Sequence, residues 1–229
     1  MANADKAGVR LPLCPPKHGY TLLLVALLTL WVVAPLAHQA GLERGINIAL
    51  VTLLVIAAIY VTSDKPRVSR WGVTLAGILL AILLWADTAT NAKPAFHLGA
   101  NLVGLLFFAV VAWQLLVDIL SKSRQVDASL INGAISVYLL LGVAFEFVFG
   151  LILAVDPTAF RGLVESGAEI GQFFYFSFVT LTTLGYGDIT PASRLAGAVA
   201  TLEAMIGQIY LTVLVARLVG MHISQATSD

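Results

Sequence analysis

Apolar residues in this chain gather into long uninterrupted runs separated by short polar joints. A run of about 17 to 25 apolar residues is what a helix needs to cross roughly 30 Å of hydrocarbon. Six such runs occur, at approximately Tyr20 to Ala37, Ile46 to Thr62, Trp71 to Ala86, Phe96 to Leu120, Leu130 to Val155 and Leu195 to Val219. A seventh apolar stretch, Gln172 to Thr182, is too short to span and lies between the last two. It reads as a re-entrant helix, which is tolerated at membrane depth only where protein or water surrounds it. The pattern predicts an all-α membrane protein with six transmembrane helices, a re-entrant helix and a following loop.

The joints set the orientation, because Lys and Arg favour the cytoplasmic side. With six spans both tails share one side. That side carries Lys6, Arg10, Lys17, Lys65, Arg67, Arg70, Lys122, Arg124 and Arg217, and the opposite side carries the remaining four of the 13 basic residues, Arg44, Lys93, Arg161 and Arg194. Both termini are therefore expected in the cytoplasm, with the re-entrant segment entering from outside. The chain divides into an N-terminal tail (1–19), a four-helix membrane block (20–120), a polar cytoplasmic linker (121–129), a two-span block with the re-entrant loop (130–219) and a C-terminal tail (220–229). The last is too short for a folded module, so no soluble regulatory domain is expected.

Composition sharpens this picture. The chain has 229 residues, of which 59% are hydrophobic and 11% charged, and a mean hydropathy of +0.92. Soluble domains are nearer a quarter charged, so lipid is the expected surround. The formal net charge is zero and the basic residues are scattered, which gives no footprint for nucleic acid. A secretory signal would have a shorter apolar core and a cleavage site, so the first run is expected to be retained. Cys14 stands alone, and His18, His38, His97 and His222 are far apart, so neither a disulfide nor a metal site is expected. No grouping of nucleophile, base and oxyanion donor points to an enzyme, and no cofactor is implied.

The chemistry concentrates in Thr182-Thr183-Leu184-Gly185-Tyr186-Gly187-Asp188. A pore that passes potassium quickly must replace the ion's water oxygens with other oxygen dipoles at little net cost, and backbone carbonyls can do so. Pointing successive carbonyls inward requires alternating backbone conformations that glycine accepts and other residues resist, which accounts for glycine at 185 and 187. One chain supplies one wall, so four copies about an axis are needed to close the ring. Leu184 and Tyr186 then point outward.

The stretch Phe174-Tyr175-Phe176-Ser177-Phe178-Val179-Thr180-Leu181-Thr182-Thr183-Leu184-Gly185-Tyr186-Gly187-Asp188 resembles the pore helix and filter sequence of the potassium channel superfamily. The resemblance covers about the last hundred residues. It implies a C4 homotetramer in which the carbonyls of Thr183, Leu184, Gly185 and Tyr186, with the Thr183 hydroxyl, coordinate dehydrated potassium as the transported ion. Gly187 completes the filter, and Thr182, Asp188, Tyr175 and Phe176 support it. Leu184 replaces the commoner valine, and Tyr175-Phe176 stands where many members have two tryptophans; both changes are expected to alter packing and not ion choice. Alternatives are a weakly selective cation channel, against which Tyr186 argues, a potassium uptake transporter, whose four degenerate loops this chain lacks, and a structural membrane protein with a silent filter.

Gly207, near the middle of the last span, is a gating hinge by resemblance or a small residue that permits close packing. Gln208, Leu211 or Thr212, and Val215 are candidates for lining the cavity. Glu146 and Glu203 are acids within spans, where a carboxylate costs about 2.5 kcal/mol or more unless it faces protein or water. Counting about 1.5 Å per residue places them about 13 and about 12 Å from the outer ends of their helices. They are gating candidates: either they meet behind the filter, so that one stays protonated and activity follows pH, or each bonds a separate hydroxyl. Asp188 either anchors the filter to the pore helix or concentrates cations at the mouth. Partners are the chain's own copies and membrane lipid, in a cell membrane.

The first four spans match voltage sensors in number but not in charge. No Lys or Arg occurs between Lys93 and Lys122, and the polar groups of the fourth span are His97, Asn101, Gln114 and Asp118. Moving one charge through the membrane field is worth about 2.3 kcal/mol per 100 mV, and steep gating needs several. A role in shielding and assembly fits the block better than a sensor does. Current–voltage relations of the intact chain are accordingly expected to lack steep activation; a steep curve that disappears when residues 20–120 are removed would contradict this.

Overall fold

The computed structural model describes residues 19–39, 43–63, 67–90, 94–121, 128–164 and 169–226. Within them the chain is helical almost throughout: α1 (Gly19–Gln39), α2 (Glu43–Val61), α3 (Arg67–Thr90), α4 (Pro94–Ser121), α5 (Ala128–Val155), α6 (Glu169–Leu181) and α7 (Arg194–Ala226). The N-terminal tail with Cys14 and His18, most of the linker at 121–129, and Lys65 and Lys93 lie outside the described residues.

Local chemistry places several of these ends. Pro94 opens α4, where its missing N–H would have no helical partner anyway. Beyond Val155 the Asp156 carboxylate accepts hydrogen bonds from Thr158 N (3.0 Å) and Thr158 Oγ1 (2.7 Å), turning the chain out of α5. Ser193 precedes α7 and its Oγ accepts from Ala196 N at 3.1 Å, an N-cap that satisfies one of the helix's orphan donors. Helix α7 runs on to Ala226, through most of the segment expected as a C-terminal tail, since no proline follows Val219 to stop it.

Two residues of strand pairing were not expected from the sequence. β1 (Phe160–Arg161) pairs antiparallel with β2 (Thr190–Pro191), Phe160 opposite Pro191 and Arg161 opposite Thr190. Ala159 O also accepts from Ala192 N at 2.7 Å. This short ladder joins the loop after α5 to the loop before α7 and brackets the segment between α6 and α7.

Helix α5 is the axis of the fold. It packs along α4, against α1 on another side, and against α6 and α7. The larger core combines Leu23 and Leu27 of α1, Leu54 of α2, Leu80 of α3, Phe107, Phe108, Val111 and Leu115 of α4, and Leu140 of α5, all essentially closed to solvent. A second cluster holds Phe149 of α5, Phe160 of β1 and Phe173 and Phe176 of α6. Its rings meet edge to face, Phe149 with Phe176 at 4.9 Å and Phe160 with Phe173 at 4.9 Å, an arrangement favoured by the ring quadrupoles.

The outer faces are apolar too. Leu75, Ile78 and Ile82 of α3 and Leu106, Val110, Trp113 and Val117 of α4 are exposed at helical spacing, a pattern that suits hydrocarbon and not water. Among the described residues, three helical segments are long and apolar enough to cross a membrane, His97–Leu120, Ala128–Val155 and Arg194–Gly220, while Gly19–Val33, Ile48–Val61 and Arg70–Ala86 are shorter apolar helices. The chain is an all-α membrane protein.

Candidate functional site

Helix α6 ends at Leu181, and the chain then turns back over the helix's last carbonyls. Thr182 N donates to Phe178 O (3.0 Å), Thr183 N to Thr180 O (2.9 Å), and Leu184 N and Gly185 N both to Val179 O (2.9 and 3.3 Å). The Thr182 hydroxyl donates to Phe178 O at 2.6 Å. The orphan carbonyls of the α6 C-terminus are thereby shared with the loop, and their partial negative charge is held beside it.

From Thr183 onward the backbone alternates. Thr183, Gly185 and Gly187 have φ of 58°, 62° and 79°, whereas Leu184 and Tyr186 between them are not in this region. Alternation of handedness is the backbone pattern that allows successive carbonyls to be turned to one side. Gly185 and Gly187 accept positive φ without strain. Thr183 is the non-glycine residue at positive φ among the described residues, a conformation that costs an L-residue about 1–2 kcal/mol. Strain of this kind persists where surrounding bonds over-determine the backbone, and the Thr183 N to Thr180 O bond is one of them.

Within this loop, Tyr186 stacks on Tyr175 of α6 with centroids 6.4 Å apart and planes 7° off parallel. The Tyr175 hydroxyl hydrogen-bonds the Asp188 carboxylate and holds it below the usual carboxylate range; partial desolvation opposes this, and the backbone N–H of Ile189 adds to the lowering. Phe176, the next residue, is 5% exposed in the aromatic cluster. Tyr175 and Phe176 thus face different neighbours, one the mouth of the loop and the other the α5 side. Leu184 and Tyr186 are exposed in the single chain.

Behind the segment, polar ties fix α6 to its neighbours. The Tyr138 hydroxyl of α5 donates to Leu181 O at 3.2 Å, and its ring stacks on Tyr210 of α7, whose hydroxyl donates to Ala134 O at 2.7 Å. Ser177 Oγ lies 2.7 Å from Gly142 O and 2.5 Å from Glu203 Oε1. Glu203 therefore has Ser177 as its hydrogen-bond partner, and not Glu146; both acids are buried. Gly207 sits one turn further along α7, where an added Cβ would come within 2.4 Å of Leu181 O. That approach gives the close-packing reading of Gly207 a definite neighbour. Gln208, Leu211, Thr212 and Val215 are exposed on α7.

Tyr138, Ser177 and Tyr210 were not singled out from the sequence. Their roles come from which backbone carbonyls they reach, and only a single serine inside an aromatic helix hinted at one of them. Among the described residues there is no group of three or more His, Cys, Asp or Glu arranged to hold a metal ion.

Residues 134–223 match the family described as ion channel, a range that takes in nearly all of α5, then α6, the loop and most of α7. The inward rectifier potassium channel Kirbac3.1 of Paramagnetospirillum magnetotacticum is 35% identical over 99 residues, covering 42% of this chain and 30% of that protein. The chain thus spans less than a third of this relative's length. No solved structure matches. The family resemblance read from the filter sequence holds over this region, and it points to a channel, not an enzyme.

The hydrogen bond from Tyr175 makes a pH prediction. Asp188 has a lowered pKa in the folded chain, so the stability it contributes is complete above its unfolded value and is lost as pH falls through the lower, folded one. Tyr175→Phe removes the largest lowering influence and should move that loss to higher pH. Ion flux measured against external pH should therefore fail earlier on acidification in Y175F than in the parent; superimposable profiles would rule this out.

Proposed function

We propose that this chain, whose residues 134–223 match the ion channel family, is one subunit of a potassium-selective channel. Four copies surround an axis, six spans per copy cross a cell membrane with both termini in the cytoplasm, and each copy contributes Thr183 to Gly187 as one wall of the filter. The carbonyls of Thr183, Leu184, Gly185 and Tyr186 and the Thr183 hydroxyl take the place of the ion's hydration shell. Residues 20–120 form a membrane block that shields and assembles the pore without sensing voltage.

The observation that carries this reading is the alternation of positive φ at Thr183, Gly185 and Gly187. A turn between two membrane helices needs at most one or two left-handed residues. A regular alternation over five residues serves to line up carbonyls, and these follow directly on the carbonyl end of α6. The dipole of that helix favours a cation near its C-terminus, and the polar ties to α5 and α7 keep the tube from collapsing when no ion is in it. Thr182, Tyr175, Phe176 and Asp188 support the segment from the helix side.

Flux through liposomes containing the purified chain tests the reading. Potassium uptake is expected to exceed sodium uptake by a wide margin. Gly185→Ala places a Cβ on a residue at φ 62° and costs about 1–2 kcal/mol, so potassium flux in this variant should fall roughly tenfold. Equal passage of the two ions, or an unaffected G185A, would overturn the assignment.

A further inference from the structure

Ser177 of α6, Glu203 of α7 and the Gly142 carbonyl of α5 meet in a site closed to solvent, Ser177 and Glu203 each being 0% exposed. The Ser177 oxygen has two contacts at hydrogen-bond distance, 2.7 Å to Gly142 O and 2.5 Å to Glu203 Oε1. A serine hydroxyl has one proton to give. Gly142 O can only accept, so its bond uses that proton. The contact with Glu203 then needs a second proton, and the carboxyl group is the source.

The alternative arrangement fails on two counts. If Glu203 were ionised it would take the serine proton, leaving the lone pairs of Ser177 Oγ and Gly142 O facing each other at 2.7 Å. It would also bury a negative charge with Oε2 unpartnered, since that atom is enclosed and has no hydrogen-bond partner among the described residues. A buried charge left half-satisfied is far more costly than a neutral acid with one idle carbonyl oxygen. The same atom locates the proton: on Oε2 it would be a buried donor without an acceptor, whereas on Oε1 it meets Ser177.

We propose that Glu203 is a neutral carboxylic acid whose Oε1–H donates to Ser177, which donates in turn to Gly142, and that this one-way chain positions the pore helix between the inner and outer helices. The positioning role rests on the channel reading above; the protonation does not. The site suits the task. Ser177 stands one turn before Leu181, and one turn beyond Glu203 an added Cβ at Gly207 would come within 2.4 Å of Leu181 O. Tyr138 of α5 bonds the same Leu181 carbonyl. Because the requirement is for a donor on α7, glutamine can replace the acid through its N–H, whereas alanine cannot.

The test combines spectroscopy and flux on the full chain in liposomes near neutral pH. The infrared difference between the parent and Glu203→Gln should remove a carbonyl band of a protonated carboxylic acid; Glu146, present in both, cancels. Ser177→Ala should shift that band, because the acid loses its acceptor. Potassium flux should stay within about twofold of the parent in E203Q and fall about fivefold in E203A and S177A, the effect of one buried hydrogen bond. Loss of an ionised carboxylate band in E203Q would overturn the protonation. Flux as low in E203Q as in E203A would overturn the positioning role. If the parent itself passed no potassium, the channel reading would fail while the infrared result still decided the state of Glu203, and the parent and S177A spectra suffice should E203A not assemble.

Discussion

Backbone polar groups at membrane depth have no water to satisfy them, and the rest of this structure follows from that constraint. Helices meet it internally, which is why the described chain is helical almost everywhere. The segment from Leu184 to Gly187 belongs to neither helix nor strand, so its carbonyls must find partners of another kind. A desolvated cation is the partner proposed for them, and the alternating φ at Thr183, Gly185 and Gly187 is the backbone form that this proposal calls for.

Holding such a segment in place demands more than its own sequence. The N–H groups of Leu184 and Gly185 are tied to Val179 O of α6, so this part of the loop can be no better placed than that helix. Helix α6 is short, and its position depends on neighbours: the ring cluster of Phe149, Phe160, Phe173 and Phe176 on one side, and the hydroxyl ties of Tyr138 and Ser177 on another. The β1–β2 pair closes the outer end. Apolar packing supplies most of the contact area, while the few polar bonds, made where little water competes, fix register and rotation.

Much of this was legible in the sequence because the membrane writes strong patterns. The long apolar runs announced helices, and the helical class follows from them. Gly185 and Gly187 flanking Tyr186 declared a backbone that needs positive φ, and the match to the ion channel family covers that same region. What could not be read depends on how helices face one another. Ser177 looked like one hydroxyl in an aromatic helix until α5 and α7 were placed beside it. Glu203 was visible as a costly acid, yet its partner could not be chosen between Glu146 and a hydroxyl. The β1–β2 ladder involves two residues on each side, too few to leave a periodic trace. Residues 20–120 lie outside the family match and are predominantly apolar.

Ion choice is where the account stands or falls. With the intact chain in a planar bilayer, potassium on one side and sodium on the other, the reversal potential reads selectivity directly. A value far toward the potassium equilibrium potential is the predicted result. Clear current reversing near zero would mean that the carbonyls of Thr183 to Tyr186 do not distinguish the two ions, and the central claim would be wrong.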